Sequence, residues 1–187
     1  MRTLKILGFL LTYPTDDHLQ NLDECRLILK NEKWLSNKSI KQIDKFIEEM
    51  EKSDLLDLQE NYVALFDRTP SLSLHLFEHI HGDSRDRGQA LADLTEVFQN
   101  EGLSIHLAET PDYLPVFLEF NSTQSQEDVK ENFDNIVNIL CALKSRLENR
   151  KSIYAYIFEA LIDTLARKPD LRAVEQAIKR DSGAAYD

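Results

Sequence analysis

Apolar residues recur at the helical spacing of three or four positions along almost the whole of this 187-residue chain, and no other feature constrains its fold as strongly. The cleanest stripe of this kind comprises Ile40, Ile43, Phe46, Ile47 and Met50. Such spacing is typical of amphipathic helices, whereas the alternating runs typical of strands are scarce. The sequence therefore predicts an all-α, single-domain helical bundle over residues 1–168, followed at residues 169–187 by a short helix and a flexible tail.

Polar residues at the ends of these stripes predict where the helices begin and end. Helices are expected to begin at a cap within Thr15–Asp17 and at Ser53 or Asp54, because these side chains can accept hydrogen bonds from free backbone amides. The polar cluster NSTQSQ, residues 121–126, predicts an exposed loop. Beyond it, unbroken apolar spacing predicts one long helix from Glu127 to Asn149.

The stretch LSLHLFEHIHGDSRDRGQALADL, residues 72–94, contains three of the five histidines. If Leu72–Ile80 is a helix, its two sides differ in chemistry. The apolar side would carry Leu72, Leu76 and Ile80, and the titratable side His75, Glu78 and His79. Gly82 then interrupts the pattern, and a second helix is predicted to begin at Asp83 or Ser84.

The first turn of this second helix contains two arginines, Arg85 and Arg87. The helix dipole disfavours positive charge at that end, so carboxylates of the same chain are expected to hold these side chains. Gly88 follows them, and glycine inside a helix costs about 1 kcal/mol relative to alanine. We therefore expect another backbone to approach closely at Gly88.

The charge balance excludes one broad class of partner. The chain has 33 acidic and 22 basic residues, for a net charge of −11. Binding to nucleic acid requires a concentrated basic surface, so a nucleic-acid-binding function is not expected. A cationic partner is favoured instead.

The cysteines and the first residues indicate the compartment. Cys25 and Cys141 each lie among apolar neighbours, far apart and in no metal-binding spacing, which predicts buried free thiols in a reducing compartment such as the cytoplasm. The apolar run in MRTLKILGFLL is too short to span a bilayer, and no small-residue cleavage site follows it. Neither membrane insertion nor a signal peptide is predicted.

No catalytic motif is present: there is no nucleophile elbow, no P-loop and no glycine-rich dinucleotide turn. The chain is therefore predicted not to be an enzyme, and no cofactor is expected. One alternative remains open, a helical metalloenzyme in which His75, His79 and nearby carboxylates share an ion. A second alternative is a helical adaptor for another partner of the acidic surface.

Two short elements and one long passage carry a resemblance to a known family. The sequence YVALF at residues 62–66 fits the aromatic-x-x-Leu-Phe element of the redox-enzyme maturation chaperones related to TorD and DmsD. ETPDY at residues 109–113 fits their Glu-x-Pro-Asp-His/Tyr element, with Tyr113 in place of the common histidine. The passage LHLFEHIHGDSRDRGQALADL is similar to the branch that assembles nitrate reductase, the NarJ type or delta subunit.

This resemblance implies a cytoplasmic chaperone that serves one client. It would bind the N-terminal segment of the apo nitrate reductase catalytic (alpha) subunit while the molybdenum cofactor is inserted, and it would be a monomer or a weak homodimer. Matched to the family's elements, the expected partner-binding residues are Tyr62, Leu65, Phe66, His75, Glu78, His79, Asp83, Arg85, Arg87, Glu109, Pro111, Asp112, Tyr113, Leu114 and Pro115.

Two kinds of contact are expected within that set. Apolar contact is assigned to Leu65, Phe66, Tyr113 and Leu114. Contact with client lysine or arginine is assigned to Glu78, Glu109 and Asp112. A basic amphipathic client would then lie with its apolar face in a groove between helices.

Overall fold

Ten α-helices make up most of the part of the chain that the computed structural model describes, which is residues 1–82, 84–103 and 109–165. They are α1 (Arg2–Leu10), α2 (Asp16–Glu32), α3 (Asn37–Lys52), α4 (Leu55–Tyr62), α5 (Leu76–His81), α6 (Asp86–Asn100), α7 (Leu114–Thr123), α8 (Gln126–Asp134), α9 (Val137–Asn149) and α10 (Ala155–Asp163). A π-helical turn (Val63–Asp67) continues α4, and a 3₁₀ turn (Pro70–Leu72) follows it. The predicted all-α fold is confirmed.

Side-chain caps explain several helix starts. The Thr15 side chain accepts a hydrogen bond from the His18 amide at the start of α2. Asp54 accepts one from the Leu56 amide, at 2.9 Å, at the start of α4. Each cap satisfies a backbone N–H that has no partner within its helix. Both predicted starts are confirmed.

The core is apolar and is shared by most of the helices. The first helix, α1, packs against α7, α2 and α10, while α10 also packs against α3 and α9. Several side chains are fully buried among these helices, including Leu4, Leu7, Phe46, Ile47, Phe158 and Leu161. These residues recur at helical spacing, and this spacing predicts the buried side of each helix correctly. None of the described helices is both long and apolar enough to cross a membrane.

A glycine allows α1 and α7 to approach closely, but it is Gly8 and not Gly88. A Cβ atom at Gly8 would lie 3.1 Å from the Pro115 carbonyl oxygen and 3.2 Å from the Leu118 Cβ. A Cβ at Gly88 would meet nothing within 4 Å. The expectation of a close backbone approach at Gly88 is therefore wrong.

The polar cluster at residues 121–126 is only in part the predicted exposed loop, because α7 extends to Thr123 and α8 begins at Gln126. Asn121 is fully buried, its amide nitrogen donates to the Phe117 carbonyl at 2.8 Å, and its amide oxygen accepts from Asn132 at 2.9 Å. A buried polar side chain needs such partners. The same composition that favours loops here joins α7 to α8.

The long helix predicted from Glu127 to Asn149 is in fact two helices, α8 and α9, which are separated at Asn135 and Ile136. Phe133, Ile136 and Leu140 on both sides of the break are buried in the same core. Apolar spacing therefore continues through the break and does not reveal it. The predicted short helix and tail at residues 169–187 lie outside the described residues.

The helix predicted over Leu72–Ile80 is also wrong. Leu72 ends the 3₁₀ turn, the backbone is extended at His75, and α5 begins only at Leu76. Ile80 is 49% exposed, so it does not share a buried face with Leu76. The second helix of this region, α6, begins at Asp86, whose amide donates to the Ser84 hydroxyl. Asp83, the other predicted start, lies outside the described residues.

Candidate functional site

A short antiparallel pairing joins two segments that are distant in the sequence, and it explains why α5 starts late. The Leu76 amide donates to the Asp112 carbonyl at 2.9 Å, and the Leu114 amide donates to the Leu74 carbonyl at 2.8 Å. These two bonds place His75 opposite Tyr113. The pairing brings the histidine-rich stretch together with the segment at residues 109–115.

The Asp112 side chain fastens this pairing from within the protein. It is fully buried, and one carboxylate oxygen accepts from the Phe77 amide at 3.1 Å, in the first turn of α5. The other oxygen accepts from the Thr110 hydroxyl at 2.6 Å and lies 3.6 Å from His75 Nδ1. Because the Thr110 proton is committed to Asp112, His75 Nδ1–H donates to the Thr110 oxygen, at 3.1 Å.

These contacts shift the pKa values of both ionisable groups. The Asp112 contact raises the pKa of His75, and this effect outweighs the opposing effect of burial. Burial raises the pKa of Asp112, but the nearby positive charge of His75 and the hydrogen bonds from Thr110 and Phe77 together hold it below its ordinary value. The two groups are therefore held as an imidazolium and a carboxylate over a wider pH range than isolated side chains would be.

The pH dependence of stability should report this pair. A raised histidine pKa stabilises the folded state fully below the ordinary value of 6.5, and this contribution is lost as the pH rises through the raised value. The contribution of Asp112 is present above its ordinary pKa of 3.8 and is lost as the pH falls through the lowered value. Together they stabilise the fold most between pH 3.8 and 6.5.

We expect His75→Gln to remove the part of the stability loss that occurs above the ordinary histidine pKa. Urea unfolding measured from about pH 5.5 to about pH 8.5 should give a flatter profile for this variant than for the unaltered chain. His81→Gln is the matched control. It removes another histidine ring of the same region, one that packs against Phe77. Parallel profiles for the unaltered chain and His75→Gln would contradict the assignment of the pH dependence to His75.

Two tyrosines connect this corner to α1. The Tyr62 hydroxyl donates to the Leu11 carbonyl at 2.9 Å, so it accepts the hydrogen bond from the Tyr113 hydroxyl at 3.0 Å. The Tyr62 ring also packs against Phe66, with the ring centres 4.9 Å apart. The π-helical turn Val63–Asp67 is what carries Phe66 and Asp67, and such turns are frequent at functional sites.

A pocket of about 370 Å³ opens at this corner, and we call it the tyrosine pocket. Its lining comprises Tyr13, Tyr62, Phe66, Asp67, Leu74, His75, Glu109 and Tyr113. Asp67 and Glu109 are exposed, and both raise the pKa of Tyr113 by placing negative charge near its hydroxyl, with burial the larger cause. The pocket therefore has an aromatic interior with carboxylates in its lining.

A second, wider pocket of about 750 Å³ adjoins the first at Tyr13, which lines both, and we call it the α4 pocket. Its other lining residues are Leu56, Asp57, Gln59, Glu60, Asn61, Val63, Ala64 and Arg68. Tyr13 is 43% exposed and Leu56 is 61% exposed. The Pro14 carbonyl accepts from Gln59 at 2.9 Å, which fixes the turn that carries Tyr13. We refer to these two pockets, which share Tyr13, together as the groove along α4.

Ten of the fifteen predicted site residues lie in or behind the wall of the tyrosine pocket. Five of them line the tyrosine pocket: Tyr62, Phe66, His75, Glu109 and Tyr113. Five others are buried: Leu65, Pro111, Asp112, Leu114 and Pro115. Asp112 and Leu114 have no exposed surface, so the direct client contacts assigned to them are not available in this conformation. Both residues belong instead to the pairing that places His75 opposite Tyr113.

The remaining predicted residues lie along α5 and α6. Arg87 pairs with Glu78 at 3.1 Å, which confirms that a carboxylate of the same chain holds Arg87. Glu78 is thus engaged within the protein and is a weaker candidate for a client cation. The His79 Nε2–H group donates to the Ser73 carbonyl at 2.8 Å. Arg85 is exposed, and Asp83 lies outside the described residues.

Sequence reasoning missed Tyr13 and Asp67. Neither residue is among those that the sequence predicted for the site. No local signal marks either residue, because the pocket forms only when the turn after α1 meets the end of the π-helical turn.

The metalloenzyme alternative loses its geometric basis. His75 Nδ1 is hydrogen-bonded to Thr110 and His79 Nε2 to Ser73, so one nitrogen of each ring is engaged within the protein. Within residues 1–82, 84–103 and 109–165, no three or more histidine, cysteine or carboxylate side chains form a group that could hold a metal. Burial raises the pKa of the Cys25 thiol to about 11, so at neutral pH the thiol is protonated.

The chain belongs to the nitrate reductase delta subunit family, whose sequence profile matches residues 35–160. It is 38% identical over 162 residues to the nitrate reductase molybdenum cofactor assembly chaperone NarJ of Escherichia coli K12, covering 87% of this chain and 69% of that protein. It is 37% identical to the probable chaperone NarW of the same strain, covering 87% and 67%. The probable chaperone NarJ of Bacillus subtilis is 28% identical over 95% of both chains. The family membership indicated by the sequence is therefore confirmed.

Proposed function

We propose that this protein is a cytoplasmic, client-specific chaperone that binds the N-terminal segment of the apo nitrate reductase alpha subunit and supports molybdenum cofactor insertion, without catalysing a reaction itself. Its relatives from Escherichia coli carry names that describe nitrate reductase molybdenum cofactor assembly chaperones. The observation that carries the proposal is the groove along α4, which is aromatic inside and has exposed carboxylates in its lining.

The charge around the groove favours a cationic client. Its lining contains four acidic residues, Asp57, Glu60, Asp67 and Glu109. The basic residues of the lining are Arg68 and His75, and the buried Asp112 lies beside His75. In the part of the chain that the structure describes, no ion pair engages Asp67 or Glu109. The groove therefore adds local negative charge to a chain whose net charge is −11, which favours the approach of a basic segment.

The apolar part of the groove supplies most of the expected affinity. A client helix that buries about 400 Å² of apolar surface gains about 10 kcal/mol before the costs of association and ordering. Tyr13, Phe66 and Tyr113 are placed to provide this contact. We assign client cations to Asp67 and Glu109, because Asp112 is buried and Glu78 is paired.

The charge assignment can be tested by calorimetry with a synthetic peptide that copies the first residues of the alpha subunit. Asp67→Asn combined with Glu109→Gln should weaken binding about tenfold, because two rim charges contribute about 1.4 kcal/mol together. The loss should shrink at high salt. Glu96→Gln combined with Glu131→Gln is the control, since it changes the net charge equally at exposed positions outside the groove. Equal weakening by both double variants would contradict a local role.

The apolar assignment has its own test at Tyr13. Tyr13→Ala should weaken binding of the same peptide by about 2 kcal/mol, or about 30-fold, because an aromatic contact that both pockets share is lost. Leu27→Ala is the control, since Leu27 is 59% exposed and lines neither pocket. Unchanged binding by Tyr13→Ala would place the client elsewhere, and absence of any binding to the unaltered chain would refute the proposed function.

A further inference from the structure

Tyr154, which immediately precedes α10, is a buried tyrosine whose hydroxyl lacks a partner among the described residues. Its side chain is only 1% exposed. No group within residues 1–82, 84–103 and 109–165 makes a hydrogen bond with this hydroxyl. Buried polar groups almost always have a partner, because a buried hydroxyl without one has lost its contact with water and gained nothing in return. The Tyr154 hydroxyl is therefore a candidate donor for a bound group.

The Tyr154 ring lies directly behind the tyrosine pocket. It packs edge-on against Phe66, with the ring centres 5.0 Å apart, and against Tyr62, with the ring centres 6.1 Å apart. Both of these neighbours line the pocket. Burial and then the charge of an ionised Tyr113 raise the pKa of Tyr154, so the hydroxyls of these two tyrosines interact electrostatically. The unpartnered hydroxyl thus lies on the side of the core where the pocket's two tyrosines meet.

The hydrogen bonds of those two tyrosines leave one acceptor unused. Tyr62 donates to the Leu11 carbonyl, and Tyr113 donates to Tyr62. The Tyr113 proton is therefore committed, and the Tyr113 oxygen can only accept a further hydrogen bond. The Tyr154 hydroxyl, by contrast, has a proton to donate. A single group that accepts from Tyr154 and donates to Tyr113 would satisfy both hydroxyls.

We propose that the client inserts a side chain with both an acceptor and a donor, a hydroxyl or a carboxamide, between the hydroxyls of Tyr154 and Tyr113. This inference rests on the proposed function and adds a selective contact to it. Lysine and arginine side chains can only donate, and ionised carboxylates can only accept. The backbone groups of a helical client are used within its own helix, so a side chain must supply the contact.

The client group reaches Tyr154 past Tyr113, which is partly exposed, whereas Tyr62 and Tyr154 are buried. A client without a hydroxyl or carboxamide at this position gains nothing from Tyr154. The contact therefore distinguishes between cationic amphipathic segments that the charge and the apolar surface of the groove would accept equally.

Tyr154→Phe removes only the hydroxyl and separates its effect on binding from its effect on stability. The urea midpoint of the free chain should be unchanged or raised, because no hydrogen bond between described residues is lost. Affinity for the synthetic peptide that copies the first residues of the alpha subunit should fall about fivefold. Tyr62→Phe is the stability comparison, since it loses the bond to Leu11 and should lower the midpoint. Tyr156→Phe is the binding control, because the half-buried Tyr156 lines neither pocket of the groove.

The client side of the contact is identified by replacing each serine, threonine, asparagine and glutamine of the peptide with alanine, one at a time. One replacement should weaken binding to the unaltered chain about fivefold and should not weaken binding to Tyr154→Phe, because the two changes remove the same contact. Tyr156→Phe should respond to that peptide as the unaltered chain does.

The outcomes distinguish this contact from the proposed function. If the peptide binds Tyr154→Phe and the unaltered chain equally, or if no replacement in the peptide is coupled to Tyr154, the contact is refuted while the proposed function stands. A fall in the urea midpoint of Tyr154→Phe as large as that of Tyr62→Phe would mean that a bound water already satisfies the hydroxyl, which also refutes the contact. Absence of binding to the unaltered chain would refute both.

Discussion

Asp112→Ala should lower the free energy of unfolding by about 3 kcal/mol, one of the two largest effects we expect from a single substitution in this protein. The side chain is fully buried and accepts hydrogen bonds from the Phe77 amide and the Thr110 hydroxyl. Alanine would leave the amide without its partner and remove the negative charge beside His75. Each hydrogen bond to a charged group contributes about 1.5 to 3 kcal/mol, which is the basis for the expected loss.

Urea unfolding at constant pH measures this loss. Glu109→Ala is the matched control, because Glu109 lies three residues away but is exposed, and its replacement should change stability by less than about 0.5 kcal/mol. The stability loss of Asp112→Asn should lie between those of Asp112→Ala and Glu109→Ala, since an amide oxygen can still accept the hydrogen bond from the Phe77 amide. If Asp112→Ala is as stable as Glu109→Ala, the carboxylate does not hold the pairing between His75 and Tyr113.

Gly8→Leu should cost about 3 kcal/mol for a different reason, the lack of space between α1 and α7. The nearest atom to a Cβ at Gly8 is the Pro115 carbonyl oxygen, and a backbone atom cannot move without moving the start of α7. Gly8→Ala should have a smaller effect, because the gain in helix propensity, about 1 kcal/mol, offsets part of the crowding.

The same substitutions at Gly88 provide the comparison. Gly88 lies in the first turn of α6, where a Cβ meets nothing within 4 Å, so Gly88→Leu should leave stability unchanged or raise it by up to about 1 kcal/mol. Thermal or urea unfolding of the four variants would show the difference. Equal effects of leucine at both positions would mean that α1 and α7 are not in the close contact described.

Both residues act on the proposed client groove without lining it. Asp112 fixes the segment that carries Tyr113. Gly8 lets α1 approach Pro115, which lies two residues after Tyr113. The turn after α1 carries Tyr13, and the Leu11 carbonyl accepts the hydrogen bond from Tyr62. Variants at these two positions should therefore reduce client binding in proportion to the loss of folded structure, whereas Tyr13→Ala should reduce binding alone.

Much of the fold was predictable because helices are determined by local patterns. Apolar spacing placed Phe46 and Ile47 in the core, and short polar side chains placed the starts of α2 and α4. The site was predictable only in part. Tyr62, Phe66, His75, Glu109 and Tyr113 were expected from resemblance and do line one pocket, whereas Tyr13 and Asp67 had no local signal. Whether these residues bind the client stays a prediction.

By itself the sequence determined the helical class, the acidic character and the family, because periodicity, charge and family elements are properties of the linear chain. The tertiary structure alone decided which residues face solvent. It buried Asp112 and Leu114, left Ile80 exposed, and separated α8 from α9 within one apolar pattern. Burial depends on what packs against a residue from distant parts of the chain, and local spacing contains no record of that partner.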